Sequence, residues 1–257
     1  GRAIGAVLDG MAAGVPVDEA FVAACMDKRR ARGDGLSTPR TEADAVQFLS
    51  GVVNGRTTGT AIALMVENQN TRSADYAKTA DLLRPGHADY TAYAKYHGFQ
   101  DARGGGHFSG RVTAALVAGG AVVLGALSRA GIDISTHIAA CAGISDTRFA
   151  LDNAAALAAQ VEALADKPEG FAVLDPAVEE PMKAAIRAAG ADGDSVGGLL
   201  ETAILGLPAG IGEPYFDSVE SKIAHLAFSI PAVKGIEFGT GFGFAGLRGS
   251  EANDAFR

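Results

Sequence analysis

Residues 109–130 read SGRVTAALVAGGAVVLGALSRA, and they decide the fold. Between Arg111 and Arg129 there is no charge, and glycines and alanines are spread among valines and leucines. A helix apolar on every side needs cover on every side. Residues 112–128 fall short of the ~20 needed to span a bilayer, and the small residues dilute their hydrophobicity. The expectation is a buried core helix over 109–130, close-packed through its small side chains.

Working outward, residues 3–9 alternate as a strand, and Asp18 is placed to cap a helix carrying Phe21, Val22, Cys25 and Met26 on one face. Residues 45–53 and 58–67 read as two strands joined at Asn54-Gly55, a hairpin turn signal. On the C-terminal side, strand-like alternation at 132–140 precedes Ala-rich helices near 153–166 and 176–190. Residues 196–206 read as a strand, Asp217 or Ser218 caps a helix to about Ile230, and 235–239 reads as a short strand. Helices mixed with antiparallel hairpins, without internal repeats or a long linker, indicate one α+β domain.

Composition narrows the partners. With 257 residues, 48% hydrophobic and 20% charged, the chain is long and apolar enough for a substantial core. A net charge of −8 argues against nucleic acid, so an anionic ligand must be held by a local basic cluster. Cys25 and Cys141 lie in apolar stretches without metal-ligand spacing; two reduced thiols suit a cytoplasmic protein, and no metal is expected. GRAIGAVLDG lacks the basic region and apolar run of a secretory signal, and no membrane partner is expected.

The chemistry is concentrated just before the core helix, in RPGHADYTAYAKYHGFQDARGGGHFSGRVTA at 84–114. Arg84, His87 and Asp89 fall within six residues, and a triple glycine then leads to His107, Ser109 and Arg111. Unpaired N–H groups at a helix start bind anions, glycines admit a ligand to the backbone, and arginines add charge-assisted hydrogen bonds. The pattern is a polyanion site with titratable histidines. His137, His225 and His97 read as structural residues, the last at a helix end, while Glu213 and Asp217 fit acid/base carboxylates and turn or capping groups equally well.

Two motifs are set aside. Gly241–Gly246 fits G-x-G-x-x-G, but no helix of a βαβ unit follows. Gly193–Gly197 fits G-x-S-x-G, but in a helix–turn–strand context rather than strand–turn–helix.

The 84–114 segment resembles the signature region of chorismate synthases. So do LSGVVNGRTTGTAIALMVEN at 49–68 and LPAGIGEPYFDSVESKIAHLAFSIPAVKGIEFGTGF at 207–242, followed by GSEAND at 249–254. The resemblance implies a β-α-β sandwich, with a helical layer between two antiparallel sheets. It implies elimination of phosphate from 5-enolpyruvylshikimate 3-phosphate, dependent on reduced FMN, with NADPH as a possible reductant, in a homotetramer.

It also implies roles for particular residues. His87 matches a catalytic histidine. Arg29, Arg84 and Arg111 would bind substrate anions. His107, Phe108 and Ser109, a variant of the family's usual arginine- and serine-containing turn, would line the flavin together with Pro231 and Ala232. Where a further family arginine is expected the chain has Gly35 or Leu36, and Arg32 is the candidate replacement. Gly1 aligns just after a GESHG-like motif and Arg257 precedes a KPTSS-like segment. Residues 1–257 are thus expected to form a single domain without the family's extreme N-terminal and C-terminal segments. The alternative is a non-catalytic protein binding flavin or a phosphate ligand on the same fold.

Overall fold

A computed structural model describes residues 1–31, 33–37, 43–68, 82–101, 105–165 and 171–253. The chain divides into two compact units, Gly1–Leu207 and Pro208–Arg257.

The first unit opens with β1 (Ala3–Leu8) and α1 (Glu19–Arg29). Asp18 caps α1, its side chain accepting the Phe21 N–H, and Lys28 and Arg29 end it where cations suit the helix dipole. The sequence between predicts one long hairpin, but the structure breaks it into β2 (Val46–Phe48), β3 (Val52–Val53), β4 (Arg56–Thr57) and β5 (Ile62–Glu67). The turn is as expected: Asn54 and Gly55 both take positive φ between paired β3 and β4. The break has its own cause at Gly51. Its φ is +78°, and a Cβ there would sit 2.6 Å from the Ala61 carbonyl oxygen, so the chain bends out of the sheet. The resulting sheet has the order β1-β5-β2, all antiparallel, with Val46 opposite Val66 and Ile4 opposite Val66 on its other side. Residues 58–67 therefore supply a central strand and not an edge.

One face of this sheet is the main core. Ile62, Leu64 and Val66 alternate inward and pack against α1 and α3 (Thr113–Arg129). Val22 and Met26 of α1 meet Ala114, Ala118, Ala121 and Val122 of α3 across that layer. The alanines permit this close approach. The structure corrects the expectation of cover on every side: burial favours the alanine face, while Leu116 is 52% exposed. It also corrects the length argument. With the preceding turn, Gly110–Arg129 is 20 residues, long and apolar enough to cross a membrane. Its contacts with α1, β1 and β5 are those of a core helix.

The second antiparallel sheet, β7-β6-β8, comprises β6 (Asp133–Cys141), β7 (Ile144–Ser145) and β8 (Gly198–Leu205). Helices α4 (Ala154–Ala165) and α5 (Glu179–Ala191) contribute Leu164 and Met182 to the cores beneath it. Since α3 lies against β1 and β5 and also meets β6, helices stand between two antiparallel sheets. The fold is α+β, a β-α-β sandwich.

The second unit holds α6 (Val219–Ala227), capped by the Ser218 hydroxyl, and a 3₁₀ helix over Gly241–Gly246. Residues 235–239 form no strand, contrary to the sequence reading. Ile236 and Phe238 alternate as strand residues do, but among the described residues of this unit there is no strand to pair with.

Candidate functional site

Two clusters and one turn of the first unit hold Arg29, Arg84, His87, His107, Phe108, Ser109 and Arg111. The first cluster centres on Asp44, which sequence reasoning missed. Its side chain is 2% exposed, and its carboxylate takes one guanidinium on each oxygen. Arg29, at the end of α1, donates to Oδ2 at 2.8 Å, and Arg111 donates to Oδ1. Each arginine is held further: Arg29 by Thr113 Oγ1 at 3.4 Å and the Gly110 carbonyl, Arg111 by Asn68 Oδ1 at 3.1 Å and the Glu67 carbonyl. Arginines separated by 82 positions thus share one buried anion. Arg32, the candidate replacement for a family arginine, lies outside the described residues.

The second cluster is local. Arg84, His87 and Asp89 lie in the turn leading into α2 (Asp89–Tyr96). Arg84 donates through Nε to Asp89 Oδ2 at 2.7 Å and through Nη2 to Oδ1 at 2.9 Å, a two-toothed pair. His87 Nδ1 lies 2.7 Å from Asp89 Oδ1 and 3.3 Å from Arg84 Nη2. Both contacts cannot use Nδ1 in the same sense. The shorter one, to an anion, makes Nδ1 the donor to Asp89. The Asp89 carboxyl is held well below the usual carboxylate range. The Arg84 guanidinium is the main cause, outweighing burial, with the Arg84 backbone N–H and His87 adding to it.

Between the clusters in sequence runs the glycine turn. Gly106 has φ +53°, and a Cβ there would meet the Asp101 carbonyl oxygen at 2.7 Å, so glycine is required. The turn lifts His107 and Phe108 into solvent. The Phe108 ring lies 6.5 Å from Tyr96 and meets His107 edge-on at 6.4 Å. Ser109 accepts the Arg111 N–H at 3.2 Å, which starts the turn into α3 and ties the glycine turn to the arginine pair. Pro231 and Ala232, in the second unit, are both exposed, and Ala232 has φ +70°.

The remaining histidines fall elsewhere. His97 is the left-handed cap of α2, and His225 is exposed on α6. His137 is fully buried, with Nδ1 2.9 Å from Asp146 and Nε2 2.9 Å from Glu201. Glu213 and Asp217 form a backbone turn, and Asp217 pairs with Lys222 at 2.7 Å. Among the described residues no cluster of histidine, cysteine and acidic side chains has the makings of a metal site.

Asp44 gave no signal in the sequence, because its spacing to Arg29 and Arg111 follows no local period. Asn68, Thr113 and Tyr96 were missed for the same reason. Arg84, His87 and Asp89 were legible because the turn that joins them is contiguous.

Comparison with known proteins identifies the family. The family model for chorismate synthase matches residues 1–257. Among curated relatives, the chorismate synthase of Korarchaeum cryptofilum is 42% identical over 257 residues, covering 100% of this chain and 69% of that protein. That of Methanosarcina mazei is 43% identical over 256 residues, covering 100% and 68%. A crystal structure of chorismate synthase superposes with a TM-score of 0.77 at 29% identity, over 99% of this chain and 70% of that one. Matched along its whole length by the family model, with relatives above 40% identity, the chain belongs to the chorismate synthase family.

Proposed function

We propose that this chain acts as a carbon–oxygen lyase on 5-enolpyruvylshikimate 3-phosphate. In forming chorismate, the bond between a ring carbon and the phosphate oxygen breaks, C6 loses a proton, and a new double bond forms in the ring. The observation that carries this reading is the Arg29–Asp44–Arg111 cluster tied to the glycine turn. The substrate is a polyanion of carboxylates and phosphate, and guanidinia match such groups in shape and charge. Arg29 and Arg111 bind these anions, and Arg84 adds a third cation beside His87. Positive charge near the departing phosphate stabilises the negative charge it takes away.

The glycine turn fits reduced FMN. Phe108 and Tyr96 leave ring surface exposed at 38% and 43%, a face for a planar heterocycle, while the Ser109 hydroxyl and His107 offer polar atoms for its edge. His107, Phe108 and Ser109 would hold the cofactor, and resemblance to the family makes Pro231 and Ala232 further candidates for that role. Reduced FMN, when bound, supplies transient electron density and a basic nitrogen for the C6 proton, with NADPH as the candidate reductant. His87 would be the acid–base group, with Asp89 fixing its ring through Nδ1. Two free cysteines support a reducing, cytoplasmic setting. Residues 1–257 act as one domain, and the exposed apolar residues of both units support assembly into a homotetramer.

The test is anaerobic phosphate release by the full-length protein with reduced or oxidised FMN. Release is expected only with the reduced form. Equal release with oxidised FMN would remove the flavin dependence, and binding of both ligands without release would favour the non-catalytic alternative.

A further inference from the structure

We propose that Asp44 is a positioning residue that sets the separation and direction of the Arg29 and Arg111 guanidinia for a substrate with two anionic groups. The proposal rests on the reading of those arginines as substrate-binding. Two guanidinia side by side repel each other, and a carboxylate between them removes that cost: their charge of +2 falls to +1 with Asp44 counted. The residual positive charge still attracts an anion.

Several features make Asp44 a fixture. Its side chain is 2% exposed, so it is shielded from competing solvent and salt, whereas the arginines are 22% and 20% exposed. Its φ is +51°, a left-handed conformation that aspartate and asparagine tolerate and most residues do not. The strand β2 begins two residues later, at Val46, and anchors the loop to the central strand β5. On the other side Arg111 is gripped by Asn68, just past the end of β5. The same strand therefore holds both the carboxylate and one of the guanidinia, and α1 and α3 bring the other arginine and its Thr113 partner.

Orientation and charge make opposite demands on anion affinity, which allows a direct test. Asp44→Asn keeps the shape and tolerates the backbone conformation but removes the negative charge. Asp44→Glu keeps the charge and shifts the carboxylate by one methylene. Binding of inorganic phosphate to the full-length protein is measured by calorimetry, alongside kcat and KM for 5-enolpyruvylshikimate 3-phosphate with reduced FMN. Expected for Asp44→Asn is phosphate binding about 3–10-fold tighter, from the added net positive charge, with kcat about 10–100-fold lower from lost orientation. Asp44→Glu should bind phosphate within about twofold of wild type and still lose kcat about tenfold.

Either variant with kcat within about threefold of wild type would overturn the positioning role. So would phosphate binding that weakens in both, which marks a residue needed only for the local fold. If Asp44→Asn does not fold, Asp44→Glu alone decides between these outcomes. If the wild type does not turn over the substrate, the functional reading fails, and the calorimetric order of Asp44→Asn, wild type and Arg111→Lys still decides whether the three side chains form one anion cluster. Tightest binding in the first and weakest in the last supports the proposal, and any other order overturns it.

Discussion

His87 is a half-buried turn imidazole, 26% exposed, in polar contact with Asp89 and Arg84. Removing it takes little from the core, so its loss should be felt in turnover and not in folding. His87→Ala is expected to lower kcat about 10²–10⁴-fold, the range for loss of a general acid or base. Its thermal midpoint should stay within a few degrees of wild type, the effect of a change of roughly 0.5 kcal/mol. Activity within a few-fold of wild type would return His87 to the structural residues. Three residues of this site were legible in the sequence because a single turn holds them. Asp44 was not, since nothing local distinguishes a buried aspartate that bridges two arginines from one on the surface.

At the scale of elements, α3 and the β6–β8 pair make different predictions. Ala118 is fully buried against Met26, Leu64 and Val66, where the helix approaches its neighbours through small side chains. Ala118→Leu should cost about 1–3 kcal/mol in urea unfolding, as overpacking does. A neutral result would mean that the layer is looser than these contacts describe.

The second sheet contains a buried ionic network. Asp146, just past the end of β7, and Glu201 of β8 flank His137, with Arg148 on Glu201 at 2.8 Å and Phe149 edge-on to the imidazole at 4.7 Å. Burial pushes both carboxyls up, yet backbone N–H groups of Leu174, Asp175 and Thr147 on Asp146, and of Phe149 on Glu201, outweigh it with help from His137 and Arg148. Both carboxyls therefore titrate below their ordinary range. Depressed folded values mean stability that is fully present above about pH 4–4.5 and lost as pH falls further, because the unfolded chain takes up these protons first. Melting followed from pH 7 down to 3 should show that acid limb, and Glu201→Gln should flatten it. An equally steep limb in the variant would take Glu201 out of this account.

For the whole molecule the question is what covers the exposed apolar surface. Tyr215, Phe216 and Phe242 are 91%, 88% and 87% exposed in the second unit, and Leu200 is 68% exposed on β8. Large apolar side chains left this exposed are candidates for burial on association. The full-length protein should have the mass of a tetramer by light scattering with or without FMN, since strand pairing and apolar packing hold the sheets and the core helix. A monomer without FMN would mean that the cofactor organises the assembly. Exposed strand edges at 58–67 or 235–239 play no part in this, since the first is central in its sheet and the second is not a strand.

The sequence alone determined what depends on neighbours along the chain. The Asp18 cap, the Asn54-Gly55 turn, the alternation of β1 and β6 and the Arg84–His87–Asp89 group follow from residues a few positions apart, where backbone geometry leaves few choices. Tertiary structure alone decided what depends on chain segments that meet from afar. Only the packing of α1, β5 and α3 brings Arg29, Asn68 and Arg111 around Asp44, and only the bend at Gly51 separates the hairpin tip from the sheet. Only antiparallel pairing of β6 with β8 sets Glu201 against His137. These contacts are fixed by burial of apolar faces whose periodicity is visible in sequence but whose partners are not, so the charges carried on those faces meet only once the faces have packed.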